Sequence, residues 1–193
     1  KFCMNTRKIQ YNLQRQRILD KSLELFSQRG FAQTAVADIA RESNISKGLL
    51  YHYFSSKEQL FEEILTSSFN IIFEYLDTNK DGILTQREFE EFILNVFKSL
   101  EQNYLNWKLV FQLFTQPELS EKGILILDKN ASVIKFRNMI SDFFQRKNKI
   151  NAQIKTTYFI SVILGISVSY IQNPIKYPLK QIVEFIIEEF IKN

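Results

Sequence analysis

Cysteine, histidine, proline and glycine are all scarce in this chain of 193 residues, which contains one Cys, one His, three Pro and five Gly. The lone Cys3 excludes an internal disulfide and is typical of a reducing cytoplasm. Because few residues interrupt helices and period-two alternation is also rare, the sequence predicts an all-α protein. With 45% hydrophobic residues, the chain can bury a substantial core.

The same scarcities argue against several classes of protein. His52 is the only histidine and Cys3 lies near a terminus. Since no phosphate-cradling glycine loop or paired catalytic motif appears either, the sequence does not support an enzyme. No signal peptide is visible, although the chain begins at Lys1 rather than Met. The most apolar stretch, residues 158–171, is judged too short to span a bilayer, so no membrane partner is expected.

Positive charge is concentrated near the N-terminus. Residues 1–60 contain ten Lys or Arg against five Asp or Glu, whereas the remainder contains fifteen against sixteen. Four basic residues are predicted to form an arm ahead of the first helix, able to reach a DNA backbone or minor groove: Arg7, Lys8, Arg15 and Arg17. For Arg7 and Lys8, a solubilising basic tail is an equally good explanation.

Residues 34–57 have the spacing of two short helices that cross at a tight turn. Val36, Ile39 and Ala40 place apolar side chains on one face of the first helix. Thr34 is the expected N-cap of that helix. Ser and Asn residues then break the pattern and begin a turn. This arrangement predicts a helix-turn-helix.

The second helix of this pair is predicted to enter the major groove of DNA. Ser46 is its expected cap, and Leu50, Tyr53 and Phe54 are its buried anchors. Its exposed face is formed by Lys47, Gly48, Leu49, Tyr51 and His52. Gly48 allows the backbone to approach DNA closely, Lys47 supplies a cation, and Tyr51 and His52 supply rings that also form hydrogen bonds. Lys57, at the start of the next helix, is expected to hold a phosphate. The alternative is an ordinary three-helix unit with a solvated aromatic face.

Three motifs carry a resemblance to a known family. They read I-L-D-K-S-L-E-L-F-S-Q-R-G-F, T-A-V-A-D-I-A and S-K-G-L-L-Y-H-Y-F-x-x-K-E-x-L. Residues 17–65 thereby resemble the DNA-binding domain of the tetracycline-repressor (TetR) family of bacterial transcriptional regulators. The positions that match the family's DNA contacts are Thr34, Lys47, Gly48, Leu49, Tyr51, His52, Tyr53 and Lys57. Leu49 is apolar where some members have a polar base reader, so its role stays open.

The resemblance implies an all-α architecture with two domains. A three-helix DNA-binding domain is expected over residues 1–56, and a larger helical ligand-binding and dimerisation domain over residues 57–193. The expected function is that of a cytoplasmic bacterial regulator, a dimeric repressor released from a near-palindromic DNA operator by a small-molecule effector. Repression, as opposed to activation, comes from the family alone.

The last two predicted helices, residues 150–172 and 179–192, are apolar on more than one stripe. A helix that is apolar nearly all round is either central or buried against a second chain. The resemblance implies that these two helices pair with their copies in a homodimer, and the alternative is the core of a monomer. A dimer would present two recognition helices ~34 Å apart, one turn of DNA.

An aromatic-rich middle region suggests a pocket for an apolar or aromatic effector. The candidate lining residues are Trp107, Phe111, Phe114, Phe136 and Tyr158. For any one of them, plain core packing is the competing interpretation. The sequence does not identify the effector.

Residues 77–88 match the calcium-binding loop of an EF-hand. Oxygen ligands are expected at positions 1, 3, 5, 7, 9 and 12 of the loop, namely Asp77, Asn79, Asp81, the Ile83 carbonyl, Thr85 and Glu88. The competing explanation is a helix-ending turn followed by a capping box from Thr85 and Glu88. EF-hands usually work in pairs, and no second loop is found. A calcium-responsive regulator or sensor is therefore the alternative function, and no cofactor is strictly required.

Overall fold

The structure, a computed structural model, describes residues 2–73, 75–116, 119, 125–147 and 149–192, without the side chains of residues 2–5, 114 and 149. Within these ranges the chain forms helices and no strand, as the sequence predicts. The helices are α1 (Phe2–Arg29), α2 (Val36–Glu42), α3 (Lys47–Tyr53), α4 (Lys57–Phe73), α5 (Gln86–Gln102), α6 (Tyr104–Thr115), α7 (Ala131–Lys147), α8 (Ala152–Gln172) and α9 (Leu179–Ile187). Residues 125–129 are also helical, a 3-10 turn spans Lys149–Asn151, and a π-helix spans Glu188–Lys192.

The first three helices form the predicted helix-turn-helix unit. Helix α1 ends because Gly30 adopts a φ of 84°, which glycine accepts readily, and its N–H bonds to the Phe26 carbonyl at 2.9 Å. Asn44 takes a φ of 56° in the turn between α2 and α3. Ile39 and Leu50, both fully buried, anchor the two short helices on the core.

Thr34 does not cap α2, so that prediction is wrong. The N-cap residue is Ala35, which makes no side-chain cap hydrogen bond. The Thr34 hydroxyl instead donates to the Gly30 carbonyl at 2.8 Å, and Thr34 is only 1% exposed. This hydrogen bond stabilises the turn after α1, because the Gly30 carbonyl has no partner within the helix.

The basic residues near the N-terminus do not form a separate arm, which corrects a second prediction. Helix α1 is continuous from Phe2, so Arg7, Lys8, Arg15 and Arg17 all lie on it. Arg15 is structural, since it pairs with Glu63 of α4 at 2.5 Å and its guanidinium lies 4.7 Å from the Phe54 ring centroid. No proline or glycine interrupts residues 2–29, and this allows the helix to extend.

Helix α4 leads from the helix-turn-helix unit into the second helical layer. Its buried side chains include Leu60 and Phe61 at one end and Phe69 and Ile72 at the other. Helices α5 to α9 complete a core that is rich in stacked and edge-to-face rings, such as Phe73 on Phe136 at 4.5 Å. A single apolar core therefore runs from α1 to α9.

Helix α8 is longer than the apolar stretch seen in the sequence. Within the part of the chain that the structure describes, Ala152–Gln172 is the one helix long and apolar enough to cross a membrane, judged by length and composition only. The estimate that this region is too short is therefore wrong, because the helix continues at both ends of residues 158–171. Its inner stripe, including Phe159 and Ile163, is buried in the core. Only 28% of its most apolar window is buried, so much of the helix is uncovered in one protomer.

Candidate DNA-binding interface and effector cavity

Helix α3 is held by its cap and by its buried face. The Ser46 hydroxyl accepts a hydrogen bond from the Leu49 N–H at 3.1 Å, as expected of an N-cap. Leu50 and Phe54 are 0% and 1% exposed, so the side of α3 that faces the core is fixed by packing. The side chains on the opposite, outer face of α3 are therefore held in place by the packing of Leu50 and Phe54.

The outer face of α3 brings together five of the eight predicted DNA-contact residues. All five are exposed, including Leu49 at 41% and Tyr51 at 46%, in the set Lys47, Gly48, Leu49, Tyr51 and His52. The Lys47 ammonium lies 6.0 Å from the Tyr51 ring centroid. This face therefore presents a cation and two hydrogen-bonding rings, which can contact base edges. It also presents an apolar side chain, which can contact a thymine methyl group.

Tyr53, the sixth predicted contact on α3, is half-buried, and its ring stacks on Tyr11 of α1 at a centroid distance of 4.7 Å. Gln14 of α1 also donates to the Ser43 carbonyl at 3.3 Å, in the turn before α3. A groove between the two helices is lined by Arg7, Gln10, Tyr11, Gln14, Ile45, Leu49 and Tyr53. Of its four α1 residues, Arg7 was predicted from the sequence to reach DNA, whereas Gln10, Tyr11 and Gln14 were not, although all four follow helical spacing.

The side chains of Thr34 and Lys57 are hydrogen-bonded to the end of α1 and the turn that follows it. Thr34 is buried, and its hydroxyl is engaged by the end of α1. The Lys57 ammonium donates to the Phe31 carbonyl at 2.9 Å and to the Thr34 carbonyl at 3.1 Å, and lies 4.2 Å from the Phe31 ring centroid. The side chain of Lys57 therefore braces the turn between α1 and α2.

Replacing Lys57 by alanine is expected to destabilise the fold. Loss of two charge-assisted hydrogen bonds at a half-buried site costs about 1–2 kcal/mol, which lowers Tm by roughly 2–8 °C in a chain of this size. The salt dependence of DNA binding should not change, because the ammonium is already engaged. Lys47→Ala is the matched control, since it should flatten the salt dependence without lowering Tm. A flattened salt dependence with an unchanged Tm in Lys57→Ala would instead indicate a phosphate contact.

A second candidate site is an apolar cavity of about 130 Å³ between α4, α5, α6, α7 and α8. Most of its wall is aliphatic or aromatic, and its lining residues are Phe69, Ile72, Phe73, Phe92, Val96, Trp107, Val110, Leu127, Val133, Phe136, Arg137, Ile160, Ile163 and Leu164. Among the described residues of this lining, Arg137 is the charged one. Such a mostly apolar chamber with few polar groups is typical of a small-molecule site.

The predicted pocket residues divide between this cavity and its surroundings. Trp107 and Phe136 line it. Phe111 is buried and stacks on Trp107 at 5.9 Å, outside the lining. Tyr158 is 52% exposed and contacts Phe190 instead, while the side chain of Phe114 lies outside the described residues. The α4 residues of the lining were missed because their periodicity indicates only that they are buried.

The cavity is joined to the helix-turn-helix unit by two routes. Phe69, Ile72 and Phe73 lie on α4, whose first turns pack in the DNA-binding core. Helix α6, which carries Trp107, also holds Gln112, whose side-chain amide donates to the Phe26 carbonyl of α1 at 2.8 Å. A change in the cavity can therefore reach α1 and α4 through direct contacts.

The loop at residues 77–88 contains two residues with positive φ, and its polar side chains bond to groups of the protein. Lys80 and Gly82 adopt φ values of 61° and 76°, and the Gly82 N–H bonds to the Asp77 carboxylate at 3.4 Å. The Asp77 carboxylate also pairs with Lys135 of α7 at 2.6 Å. That contact with the Lys135 ammonium, aided by the Gly82 N–H, lowers the pKa of Asp77.

The remaining predicted calcium ligands are engaged locally. The Asn79 side chain bonds to Asp81, while the Ile83 N–H donates to the Asp81 carboxylate. Thr85 and Glu88 form a reciprocal capping box that starts α5. In the described residues, no group of three or more His, Cys, Asp or Glu side chains is placed to hold a metal ion. The capping-box alternative thus accounts for these contacts.

A third surface of interest is formed by α8 and α9. Large apolar side chains protrude from both helices: Ile154 is 69% exposed, Tyr158 52% and Phe185 72%. Gly165 lies between Ser161 and Ser169 on the exposed side of α8, and a Cβ atom added to it would meet nothing within 4 Å. This face combines protruding apolar groups with a flat strip of small residues, which allows a second helix to approach closely.

Comparison with known proteins places the helix-turn-helix unit in a family. The family described as bacterial regulatory proteins, tetR family, matches residues 18–64. Among curated proteins, the chain is similar to the biofilm operon icaADBC negative transcriptional regulator IcaR. The IcaR of Staphylococcus epidermidis is 28% identical over 53% of this chain and 54% of its own length. That of Staphylococcus aureus is 30% identical over 62% of this chain and 64% of its own.

Solved structures share the whole fold. FadR of Bacillus subtilis, solved in complex with stearoyl-CoA, has a TM-score of 0.72 and 18% identity over 91% of this chain and 97% of its own. NalD of Pseudomonas aeruginosa, a repressor of the MexAB-OprM efflux pump, has a TM-score of 0.67 and 19% identity over 94% and 95%. At such identities the similarity shows fold alone. Residues 18–64 therefore match the bacterial regulatory proteins of the tetR family, and the chain has the fold of these two solved regulators.

Proposed function

We propose that the protein is a dimeric, effector-responsive transcriptional repressor that acts in the bacterial cytoplasm and binds a near-palindromic DNA site. The exposed face of α3 carries the proposal, since it presents Lys47, Tyr51 and His52 on a rigidly packed helix. The two IcaR relatives are negative transcriptional regulators, and this supports repression over activation. Because the chain spans only about half to two-thirds of those relatives, the inference rests chiefly on the DNA-binding face.

The outer surface of α8 and α9 supports dimerisation. A side chain as large as Phe185 gains roughly 1.5–3 kcal/mol when it leaves water, and several such groups are exposed on the same pair of helices. Two copies related by a two-fold axis would cover this face on both protomers. The two α3 helices would then contact successive turns of the major groove, which is the reason to expect a near-palindrome.

Effector control is proposed to act through the cavity. Its α4 wall includes Phe69 and Phe73, and α4 continues into the DNA-binding core. An effector that binds one orientation of α4 better than another shifts the separation of the two α3 helices. A coupling of ~1–3 kcal/mol would change DNA affinity by about 5–150-fold. FadR, which was solved with stearoyl-CoA, is an example of this fold in complex with a ligand that has a long acyl chain.

Selection of bound fragments from a random duplex DNA pool tests the proposed function. The purified protein should enrich a near-palindrome with half-sites about 10 base pairs apart, centre to centre. Protein with Tyr51 and His52 both replaced by alanine is the control, and it should enrich no such site. If the unmodified protein also enriches nothing in the absence of effector, sequence-specific repression is the wrong function.

A calcium response through residues 77–88 is a second candidate, favoured by the backbone at Lys80 and Gly82. We expect weak binding, because calcium must displace Lys135 from Asp77. Glu88→Gln should abolish calcium binding in a calorimetric titration and keep calcium-free DNA binding, since glutamine also serves in a capping box. Glu91→Gln, which loses an exposed carboxylate on the same helix, is the control. No heat of calcium binding in the unmodified protein would reject this candidate.

A further inference from the structure

We propose that the effector is an amphipathic carboxylate, whose apolar part occupies the cavity between α4 and α8 while its carboxylate binds Arg137. This inference rests on the proposed function, because it identifies the chemistry of the effector for the same cavity. Three observations carry it: the apolar chamber, a polar recess that adjoins it, and the position of Arg137 in the lining of both.

The chamber is suited to an apolar group and to little else. Trp107, Phe136 and Ile163 are among its lining residues, and each is at most 7% exposed. A polar group placed there would lose its hydrogen bonds to water and find almost no replacement. An apolar cavity of about 150 Å³ is known to take up a benzene-sized molecule, and this chamber has a volume of about 130 Å³. It therefore accepts a ring or a short run of methylene groups.

The adjoining recess has the opposite character. It has a volume of about 420 Å³, and its wall is dominated by hydroxyl and amide side chains, in Arg137, Asn138, Ser141, Gln153, Thr156, Thr157, Ile160 and Ser161. Arg137 and Ile160 belong to the chamber and to the recess alike. The two spaces are therefore adjacent, and the proposed ligand extends from the apolar space into the polar one past these two residues. Its polar end would then lie next to Arg137.

Arg137 is suited to exchange its present partner for an anionic ligand. It pairs with Asp128 at 3.3 Å, and the two side chains are 49% and 57% exposed. An ion pair this exposed contributes little stability, so exchanging it has a small cost. The planar guanidinium can donate two parallel hydrogen bonds to a carboxylate, a geometry that a neutral amide cannot match.

The charges around the two spaces select the sign of the ligand. Among the described residues that line the chamber and the recess, Arg137 is the charged one, and its partner Asp128 belongs to neither lining. A cationic amphiphile would therefore meet Arg137 as a like charge.

Intrinsic fluorescence provides a direct test, because Trp107 is the only tryptophan in the chain and lines the chamber. The purified full chain is titrated at pH 7 with octanoate, octanamide and octylamine, which share one tail and differ in the head. We expect octanoate to bind at least roughly tenfold more tightly than octanamide, the preference that a charge-assisted contact provides. Octylamine should bind most weakly.

Variants assign that preference to Arg137. Arg137→Gln should reduce the preference for octanoate over octanamide to less than about threefold. Arg87→Gln is the matched control, because it also breaks an exposed Arg–carboxylate pair, that with Glu91 at 2.9 Å, and should change nothing. Ile163→Phe, which fills the chamber, should weaken the binding of all three probes. Circular dichroism on each variant verifies the fold.

The outcomes separate this inference from the proposed function. Equal binding of octanoate and octanamide, an unchanged preference in Arg137→Gln, or no binding of any probe would overturn the amphipathic-carboxylate proposal. None of these results depends on DNA, so selection of a near-palindrome would still support a repressor in those cases. Conversely, selective octanoate binding without selection of any DNA site would preserve this inference and reject the proposed function.

Discussion

Replacing Phe185 by glutamate is expected to convert the protein into a folded monomer that has lost tight DNA binding. Phe185 is 72% exposed within one protomer, so a charged residue there leaves the core intact. In the proposed dimer the same position is buried, and an uncompensated carboxylate would be desolvated. Because two half-sites bound together gain roughly 10²–10⁴ in affinity over one, affinity for the selected duplex should fall by about that factor.

Sedimentation analysis, combined with a DNA titration, measures both parts of this result. Ile83→Glu is the matched control, because Ile83 is a 51% exposed apolar residue outside α8 and α9 and should tolerate the same change. Gly165→Gln provides an independent check, since the open space around Gly165 in one protomer would be filled by a partner helix. A dimeric Phe185→Glu protein with full DNA affinity would show that the interface lies elsewhere.

The second large effect is expected at the recognition helix. Alanine at Tyr51 or His52 should remove base contacts worth about 1–3 kcal/mol per half-site. Because the selected duplex has two half-sites, its affinity should fall by about 2–6 kcal/mol, or roughly 30-fold to 10⁴-fold. Binding to unrelated duplex DNA should change little, because that binding depends on phosphate contacts. The fold should be unaffected, since Tyr51 is 46% exposed and His52 is also exposed.

Competition between the selected duplex and a scrambled duplex separates specific from general binding. Lys47→Ala is the informative comparison, since loss of a cation should weaken binding to both duplexes and reduce the salt dependence. If alanine at Tyr51, His52 and Lys47 weakens binding to both duplexes by the same factor, α3 contacts only the DNA backbone. That result would contradict direct base readout by α3.

The helix-turn-helix could be predicted from sequence because its signals are local. The apolar spacing of α2 and α3, the Ser46 cap and the Gly30 stop each depend on residues a few positions apart. Thr34 and Lys57 could not be assigned in this way. Both are held by carbonyl groups at the end of α1 and the turn after it, and their partners are set by tertiary packing.

The cavity shows the limit of sequence reasoning most clearly. Periodicity marks Tyr158 and Phe159 as aromatic neighbours on one helix, but a step of about 100° per residue separates their directions. Phe159 is fully buried and Tyr158 is 52% exposed. The packing of five helices decides which aromatic rings line the cavity. No local sequence pattern indicates that Arg137 lies at its edge. The Asp77–Lys135 ion pair could not be predicted either, because its two residues are far apart in the sequence.

Hydroxyl-radical footprinting of the protein on its selected duplex shows whether two α3 helices of one dimer contact the DNA. A dimer bound in this way should protect two segments on one face of the DNA, about 10 base pairs apart. The Phe185→Glu monomer should give weak protection or a single segment at the same protein concentration. One protected segment with the unmodified protein, or uniform protection along the duplex, would contradict a dimer that reads sequence through α3.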